Sequence, residues 1–525
     1  MRHRNLGAFA LSSCLTAAAL ALPLPASAQP QPGGTLTYAV KNDSGTLAAI
    51  NNTSSTQTST KIFEGLLSYD YNLNPRPLLA TAWSVSPDGL VYSFTLRDGV
   101  TWSDGKPFTA TDVAFSIQRL KEAHPRGRST FANIVEIRTP DPHKVEIALS
   151  KPAPYLITAL GGSESPMIPK HVFEGTDPAA PPTDAQMVGT GPFMLGERVR
   201  GSYAVFNRNP NYWDKPKPYV ERLVVRFIPD GAARTAALEA GDVDLVNQPG
   251  SLSDVNRLKD NPNLAVTVRN YAYIGPQHLL MLNLDNQHLK DLRVREAIAH
   301  AIDPKALVNA VYQGQAQVSP AAISVALPTY NDPSIKPRSF DVKRANQMLD
   351  EAGYKAGANG IRFSLRLMTN SDLDPRVNDF LKQSLRRIGI DGVIVTSDFA
   401  VYIKTVYTDR AFDLAYESLS NTFDPTLGVQ RGYWSKNFKI GLPFSNSSHY
   451  ANSEADSLLE AAAVEPDAAK RKDEFNRFQK IIDRDLPAIN LVSPLGTLLA
   501  KKKLKDYAPG AEGIFNSFAD VYFEK

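Results

Sequence analysis

Cysteine is all but missing: one of 525 residues, Cys14, carries a thiol. The chain can therefore close no internal disulfide, and neither a multi-thiolate zinc site nor a Cys-x-x-Cys redox pair can be built. An excess of one charge is missing too, since 57 Lys+Arg face 54 Asp+Glu for a formal charge of +3. A nucleic-acid binder needs a basic stripe to replace phosphate counterions, and the only dense basic cluster is Lys501, Lys502, Lys503 and Lys505. Beyond the N-terminus no segment approaches the ~20 apolar residues of a spanning helix. With 43% hydrophobic and 21% charged residues the chain is not a disordered one either, and its length allows three or four units of about 150 residues.

Catalytic signatures are equally scarce. There is no His-Glu-x-x-His, no Gly-x-Ser-x-Gly and no phosphate loop. Gly99 to Lys106 has the wrong spacing, and Pro107 stands where Ser or Thr would meet magnesium. Gly189 and Gly191 lack the third glycine of a dinucleotide fingerprint, and Pro192 follows them. No two histidines stand three or four residues apart, so no metal pair is presented on one helix face. The sequence offers no catalytic residue, no metal ligand set and no cofactor motif; a hydrolase triad assembled in space is the remaining enzymatic alternative.

The N-terminus carries a different signal. Arg2, His3 and Arg4 precede an Ala/Leu-dominated stretch from Leu6 to Leu24, and Ala26, Ser27 and Ala28 stand before Gln29. This is the pattern of a secretory signal peptide over residues 1–28, cleaved after Ala28, and it predicts a periplasmic protein. Loss of Arg2 and Arg4 lowers the formal charge to +1 over the remaining 497 residues, and Cys14 is lost as well. Leu11, Ser12, Ser13 and Cys14 also resemble a lipobox, which would lipidate Cys14. The apolar region runs ten residues past Cys14 to a good cleavage site, which favours Ala28.

Strand and helix signals then alternate without repeats. Thr35 to Val40 and the period-two run Val91 to Leu96 read as strands, as does the continuous apolar run Leu223 to Ile228. Thr109 with Asp112 three residues later reads as a helix N-cap before Val113 to Ile117. Further helices are expected from Ala232 to Ala240, across Val294 to Ile302, and across Val342 to Ala352. The fold class is α/β with mixed sheets.

Five ordered blocks span about 270 residues. Leu79 to Val113 contains Trp83, Pro87, Asp88, Gly89, Trp102, Asp104, Gly105, Pro107 and Phe108. The others are Met167 to His171; Gly189 to Phe193 with Asn207 to Trp213; Arg293 to Asp303; and Asp341 to Tyr354. Together they closely resemble the peptide/nickel class of ABC-transporter solute-binding proteins, family 5. Most of these residues also read as turn and core residues, so the blocks speak for architecture more than for ligand.

The resemblance implies a hinged two-lobe periplasmic-binding-protein clamp, class II-like, with an inserted extra α/β domain. Lobe I would combine residues 29–68, 187–275 and 486–525; the inserted domain would be 69–186 and lobe II 276–485. Hinge strands are expected at Tyr273 to Asn283 and Leu486 to Val492. The implied function is capture of peptides or a peptide-like solute in an inter-lobe cleft by a monomeric receptor. Its partner would be a permease of two transmembrane and two ATPase subunits, and no cofactor is implied. Oligosaccharide, opine and metal-chelate ligands are the alternatives within the class, and a chaperone-like grip on unfolded segments lies outside it.

In peptide-binding relatives an Asp before an Asp-Pro pair grips the peptide ammonium; here Asn421 stands at that position, before Asp424 and Pro425. An Asn cannot supply the charge-assisted bond. Glu417 and Asp424 are weaker cation contacts, since Asp before Pro ordinarily starts a turn or helix. Tyr416, Phe423, Tyr433 and Trp434 with Arg431 are expected to form an aromatic wall bearing one fixed positive charge. Phe63 and Glu64, within Thr60 to Tyr69, are expected lobe I contacts.

Overall fold

The computed structural model describes Pro30 and residues 32–524. The expected signal segment and Cys14 lie outside the described residues. Three principal sheets organise the chain. The first has seven strands, in the order Leu264–Arg269, Gly496–Lys501, Leu245–Asn247, Thr35–Val40, Arg222–Phe227, Tyr203–Arg208 and Phe193–Val199. Thr35–Val40 lies at its centre, parallel to both Arg222–Phe227 and Leu245–Asn247, with Leu36, Tyr38, Ala39 and Val40 all buried. Burial on both faces explains why the central strands read as nearly unbroken apolar runs.

The second sheet has six strands: Ala316–Val318, Ala488–Pro494, Pro276–Leu282, Leu414–Ser420, Phe363–Asn370 and Ile390–Ser397. Helices Leu292–Ala301, Val342–Glu351 and Pro375–Arg386 bury Val294, Ile298, Leu349 and Leu381 against it. Each such side chain stabilises the fold by about 1.5–3 kcal/mol. Pro276–Leu282 and Ala488–Pro494 are antiparallel neighbours inside this sheet. The expected division at residue 486 falls just before Ala488–Pro494, a strand of this second sheet. The chain crosses between the two sheets at 270–275 and at Leu495, because the hinge strands are long enough to be absorbed whole into one sheet.

A four-stranded antiparallel sheet, Ala80–Val85, Val91–Leu96, Lys144–Leu149 and Ile134–Asp141, interrupts the first unit. Helix Ala110–Ala123 covers it through Val113, Ile117 and Leu120. At the start of this helix the Thr109 N–H donates to the Asp112 carboxylate at 2.9 Å, as the sequence signal requires.

The motif blocks interlock around the junction of this domain with the first sheet. Trp102 is fully buried edge-to-face with Phe108 at 5.5 Å. The Ser103 N–H donates to the Gly189 carbonyl at 2.9 Å, and the Gly191 N–H to the Ile62 carbonyl at 2.8 Å. Gly189 and Gly191 are glycine because a Cβ at either would collide with the Ile62 carbonyl oxygen.

Candidate ligand cleft

The loop after strand Leu414–Ser420 is tied to the crossing segment. Asn421 and Thr422 N–H groups donate to the carbonyls of Gly275 and Ile274 at 2.8 and 3.0 Å. Asp424 then caps Pro425–Gly428, accepting from the Thr426 N–H at 2.9 Å. Its two oxygens also receive the Arg471 guanidinium at 2.7 and 2.8 Å, both side chains being almost wholly buried. Asp424 is thus consumed as a helix cap and ion-pair partner.

Two short helical turns, Pro425–Gly428 and Gln430–Tyr433, bring Arg431 and Trp434 to the wall of a cleft of about 680 Å³. The facing wall comes from the inserted domain, through Arg126, Asn133, Lys151 and Tyr155, and Phe444 closes one side. That volume falls within the range of small-molecule sites. Arg126 donates through Nε to both oxygens of the buried Glu164 at 2.9–3.0 Å, and through Nη2 as well. Burial pulls the Arg126 pKa down, but the Glu164 carboxylate outweighs it and holds the guanidinium above its ordinary value. The same burial pushes neighbouring His124 down to about 4, against the pull of Glu164, so its imidazole is neutral at physiological pH.

Arg431 is bound differently. Its Nε and Nη2 donate to the main-chain oxygens of Gly428 and Ser420, both at 3.1 Å. The Trp434 indole N–H donates to Glu460 at 2.9 Å, leaving its ring as part of the wall.

The remaining expected contacts go elsewhere. Tyr416 is 1% exposed, and its hydroxyl sits 2.7 Å from His278 Nδ1 and 3.0 Å from the Tyr312 hydroxyl inside the second-lobe core. Phe423 is equally buried, its ring 4.7 Å from that of Tyr273. Tyr433 packs edge-to-face on Phe478 at 5.8 Å. These three are core rather than wall: the strand, the loop after it and the second helical turn each point one aromatic ring inward, and all three are buried. Asn421 is 3% exposed, and its Oδ1 accepts the Ser324 N–H at 2.5 Å, a loop-fixing bond. Glu417 is buried, accepting from the hydroxyls of Tyr402 and Tyr407 at 2.9 and 2.8 Å. Burial raises its pKa against those two bonds and against the positive charge of Arg431.

Phe63 and Glu64 line a second cavity, of about 410 Å³, between the first unit and the C-terminal segment. Glu64 accepts from the Tyr212 hydroxyl at 2.9 Å and from the Trp213 indole and Thr190 hydroxyl at 3.0 Å. Burial nevertheless pushes its carboxyl up to about 7. Sequence reasoning missed Arg126 and Lys151, which follow elements of the inserted domain, and Tyr155, in the 3-10 helix Pro154–Ala159. The one local cue was Pro125, Arg126, Gly127 and Arg128 ending a helix.

Among the described residues, no helix is long and apolar enough to cross a membrane. No group of three or more His, Cys, Asp or Glu side chains is placed to hold a metal ion among them.

Residues 74–439 match the family described as bacterial extracellular solute-binding proteins, family 5 Middle. Heme-binding protein A of Haemophilus influenzae is 27% identical over 498 residues, covering 90% of this chain and 88% of that protein. Among solved structures, DppA from Helicobacter pylori in complex with the peptide STSA superposes with a TM-score of 0.77 at 28% identity, covering 94% of this chain and 99% of that one. NikZ from Campylobacter jejuni in complex with Ni(L-His) gives a TM-score of 0.78 at 27% identity with the same coverages.

Proposed function

The chain belongs to the bacterial extracellular solute-binding proteins of family 5, and we propose that it is the monomeric periplasmic receptor of an ABC importer for peptides or a peptide-like solute. The observation that carries this reading is the cleft of about 680 Å³ whose two walls come from different bodies, the inserted domain and the second lobe. Ligand contacts made to both walls exist only when they approach, so a ligand shifts the open-closed equilibrium by its differential affinity. A micromolar ligand supplies about 8 kcal/mol, ample to populate a closed form that a permease with two transmembrane and two ATPase subunits would recognise. Transport by this receptor needs no covalent chemistry. The reading includes export with cleavage after Ala28, and it divides the chain into lobe I (29–68, 187–275 and 495–525), the inserted domain (69–186) and lobe II (276–494).

Native mass spectrometry of protein purified from the periplasm, followed by denaturation, reads the mass of any solute that travels with it. Calorimetry with di- to pentapeptides then tests the ligand class. Micromolar binding of a sugar, with no peptide binding below about millimolar, would refute it.

A further inference from the structure

Exposed apolar side chains are unevenly spread over the described residues. Of the twelve large ones that stand exposed, six lie in two short stretches of the second lobe: Val393, Val395, Phe399 and Val401, then Ile440 and Leu442. Strand Ile390–Ser397 is the edge of the second sheet. One of its faces is covered, with Ile390 and Gly392 buried and Gly392 lying against Leu385 of helix Pro375–Arg386. Val393 and Val395 alternate to the opposite face, which stays open. Water-facing positions of an edge strand are ordinarily polar or charged, because an open apolar edge invites pairing with another chain.

The Asp398 carboxylate then accepts the Val401 N–H at 3.0 Å and starts the short helix Phe399–Ile403. Tyr402 is its buried residue, and Phe399 and Val401 point out. The Phe399 ring lies 6.2 Å from that of Phe444, and the Gly441 N–H donates to the Tyr407 carbonyl at 2.8 Å. These two contacts bring the loop that carries Ile440 and Leu442 alongside Phe399, so the two stretches form one patch.

Six such side chains present roughly 500 Å² of apolar surface, a size that marks an interaction site. A lasting interface takes about 800 Å² from each partner, so the patch suits a partner that binds and leaves rather than a second copy of the chain. Asp391, Asp398 and Asp409 stand in or beside these stretches against Lys404, Arg410 and Lys439, and Arg410 is already paired with Asp285 at 2.6 Å. No basic excess is left to attract anionic lipid headgroups, which leaves a protein surface as the partner. Leu442 and Phe444 also line the cleft, across from Arg126 and Asn133 of the inserted domain. A partner seated on the patch therefore touches the rim at which the two walls approach on closure.

We propose that residues 393–401 and 440–442 form the surface by which the second lobe docks, transiently, on an apolar periplasmic face of the permease. The proposal rests on the receptor reading above and adds where the permease meets this lobe. Because the patch runs to the cleft rim, the contact distinguishes the closed form from the open one.

Val401→Asp combined with Ile440→Asp puts two charges on the patch without altering a residue that lines the cleft. Val135→Asp, at an equally exposed valine of the inserted domain, is the control. Uptake of a labelled mixture of di- to pentapeptides is measured in source cells whose own copy of the gene is replaced by each form, beside calorimetry of the same peptides with the purified proteins. The double variant is expected to lower uptake at least about tenfold while peptide affinity stays within about twofold, and Val135→Asp to change neither. Each single variant is expected to lower uptake at least about threefold and carries the test if the double variant does not fold. Full uptake by the patch variants, an equal loss with Val135→Asp, or a loss of affinity as large as the loss of uptake overturns the docking surface and leaves the receptor reading standing. A dimer seen by light scattering, or sedimentation with phosphatidylglycerol vesicles, that the same substitutions abolish gives the patch to a second copy or to lipid and overturns it too. Peptide uptake that is unchanged when the gene is removed overturns both.

Discussion

Glu64 makes the junction between the first unit and the inserted domain sensitive to pH, and the size of the effect follows from its surroundings. The side chain is 2% exposed, and its carboxyl is pushed from 4.5 up to about 7, chiefly by burial, against three donated hydrogen bonds. Below about pH 4.5 the group is protonated in both the folded and the unfolded chain, and the fold loses nothing. As pH rises through about 7 the folded chain must ionise a buried carboxyl, so stability present at low pH is lost across that window. A displacement of about 2.5 units corresponds to about 3 kcal/mol, of which about 2.5 kcal/mol falls between pH 5 and pH 8. Glu64→Gln keeps the shape and removes the ionisation; the Tyr212 hydroxyl can turn to accept from the new amide. The quantity to measure is the difference in urea-unfolding free energy between Glu64→Gln and the parent at the two pH values. Taking the difference cancels the opposing slope from the buried His124 and His278, whose depressed pKa values near 4 cost stability as pH falls. The variant should gain about 2.5 kcal/mol on the parent between pH 5 and pH 8. A difference flat to within about 0.5 kcal/mol would show that Glu64 is not ionising in a buried site, and the reasoning would fail.

Asp424→Asn leaves the buried Arg471 guanidinium without its counter-ion, and urea unfolding should register a loss of about 3–5 kcal/mol. The double change Asp424→Asn with Arg471→Met should recover most of it, and a single variant costing under about 1 kcal/mol contradicts the burial argument. His278, pushed by burial down to about 4, contributes stability that is lost as pH falls from about 6.5 through about 4. His278→Gln should flatten that part of the acid limb of thermal unfolding, by about 3 kcal/mol if the shift is realised in full. Trp434 and Phe63 separate the two cavities. Trp434→Ala should weaken binding of the co-purified solute at least about tenfold. Phe63→Ala should cost about 3–5 kcal/mol of stability while leaving affinity within about threefold, and the reverse pattern would place the solute in the other cavity.

Architecture was legible in the sequence because it is written in local patterns. Strand Thr35–Val40, strand Val91–Leu96 and the helix begun by Thr109 stand where apolar period and capping chemistry put them. The motif blocks were readable for the same reason, and the contacts explain why they hold the fold. Glu64 collects Thr190, Tyr212 and Trp213 from one block, and its carbonyl accepts the Met167 N–H at 2.8 Å from another.

The site was legible only in part, and strand Leu414–Ser420 shows the physical reason. It is an interior strand between Pro276–Leu282 and Phe363–Asn370, and the consecutive residues Leu414 to Glu417, which alternate between its two faces, are all buried. Tyr416 points to one face, with His278 and Tyr312, and Glu417 to the other, with Tyr402 and Tyr407. Alternation along a strand reveals an exposed face only when one face meets solvent. Here it could not separate core from cleft, and Tyr416 read as a wall residue. Arg431 and Trp434 escaped that ambiguity because the cap at Asp424 stops the strand and turns the chain toward the inserted domain. Their counterpart, Arg126, lies about 300 residues earlier in a turn with no periodicity to mark it. A binding wall assembled from two bodies has no local sequence signature. What defines it is the distribution of unpaired charge after all internal partners are assigned, and that becomes countable once Glu164, Asp424 and Glu460 are seen to be taken.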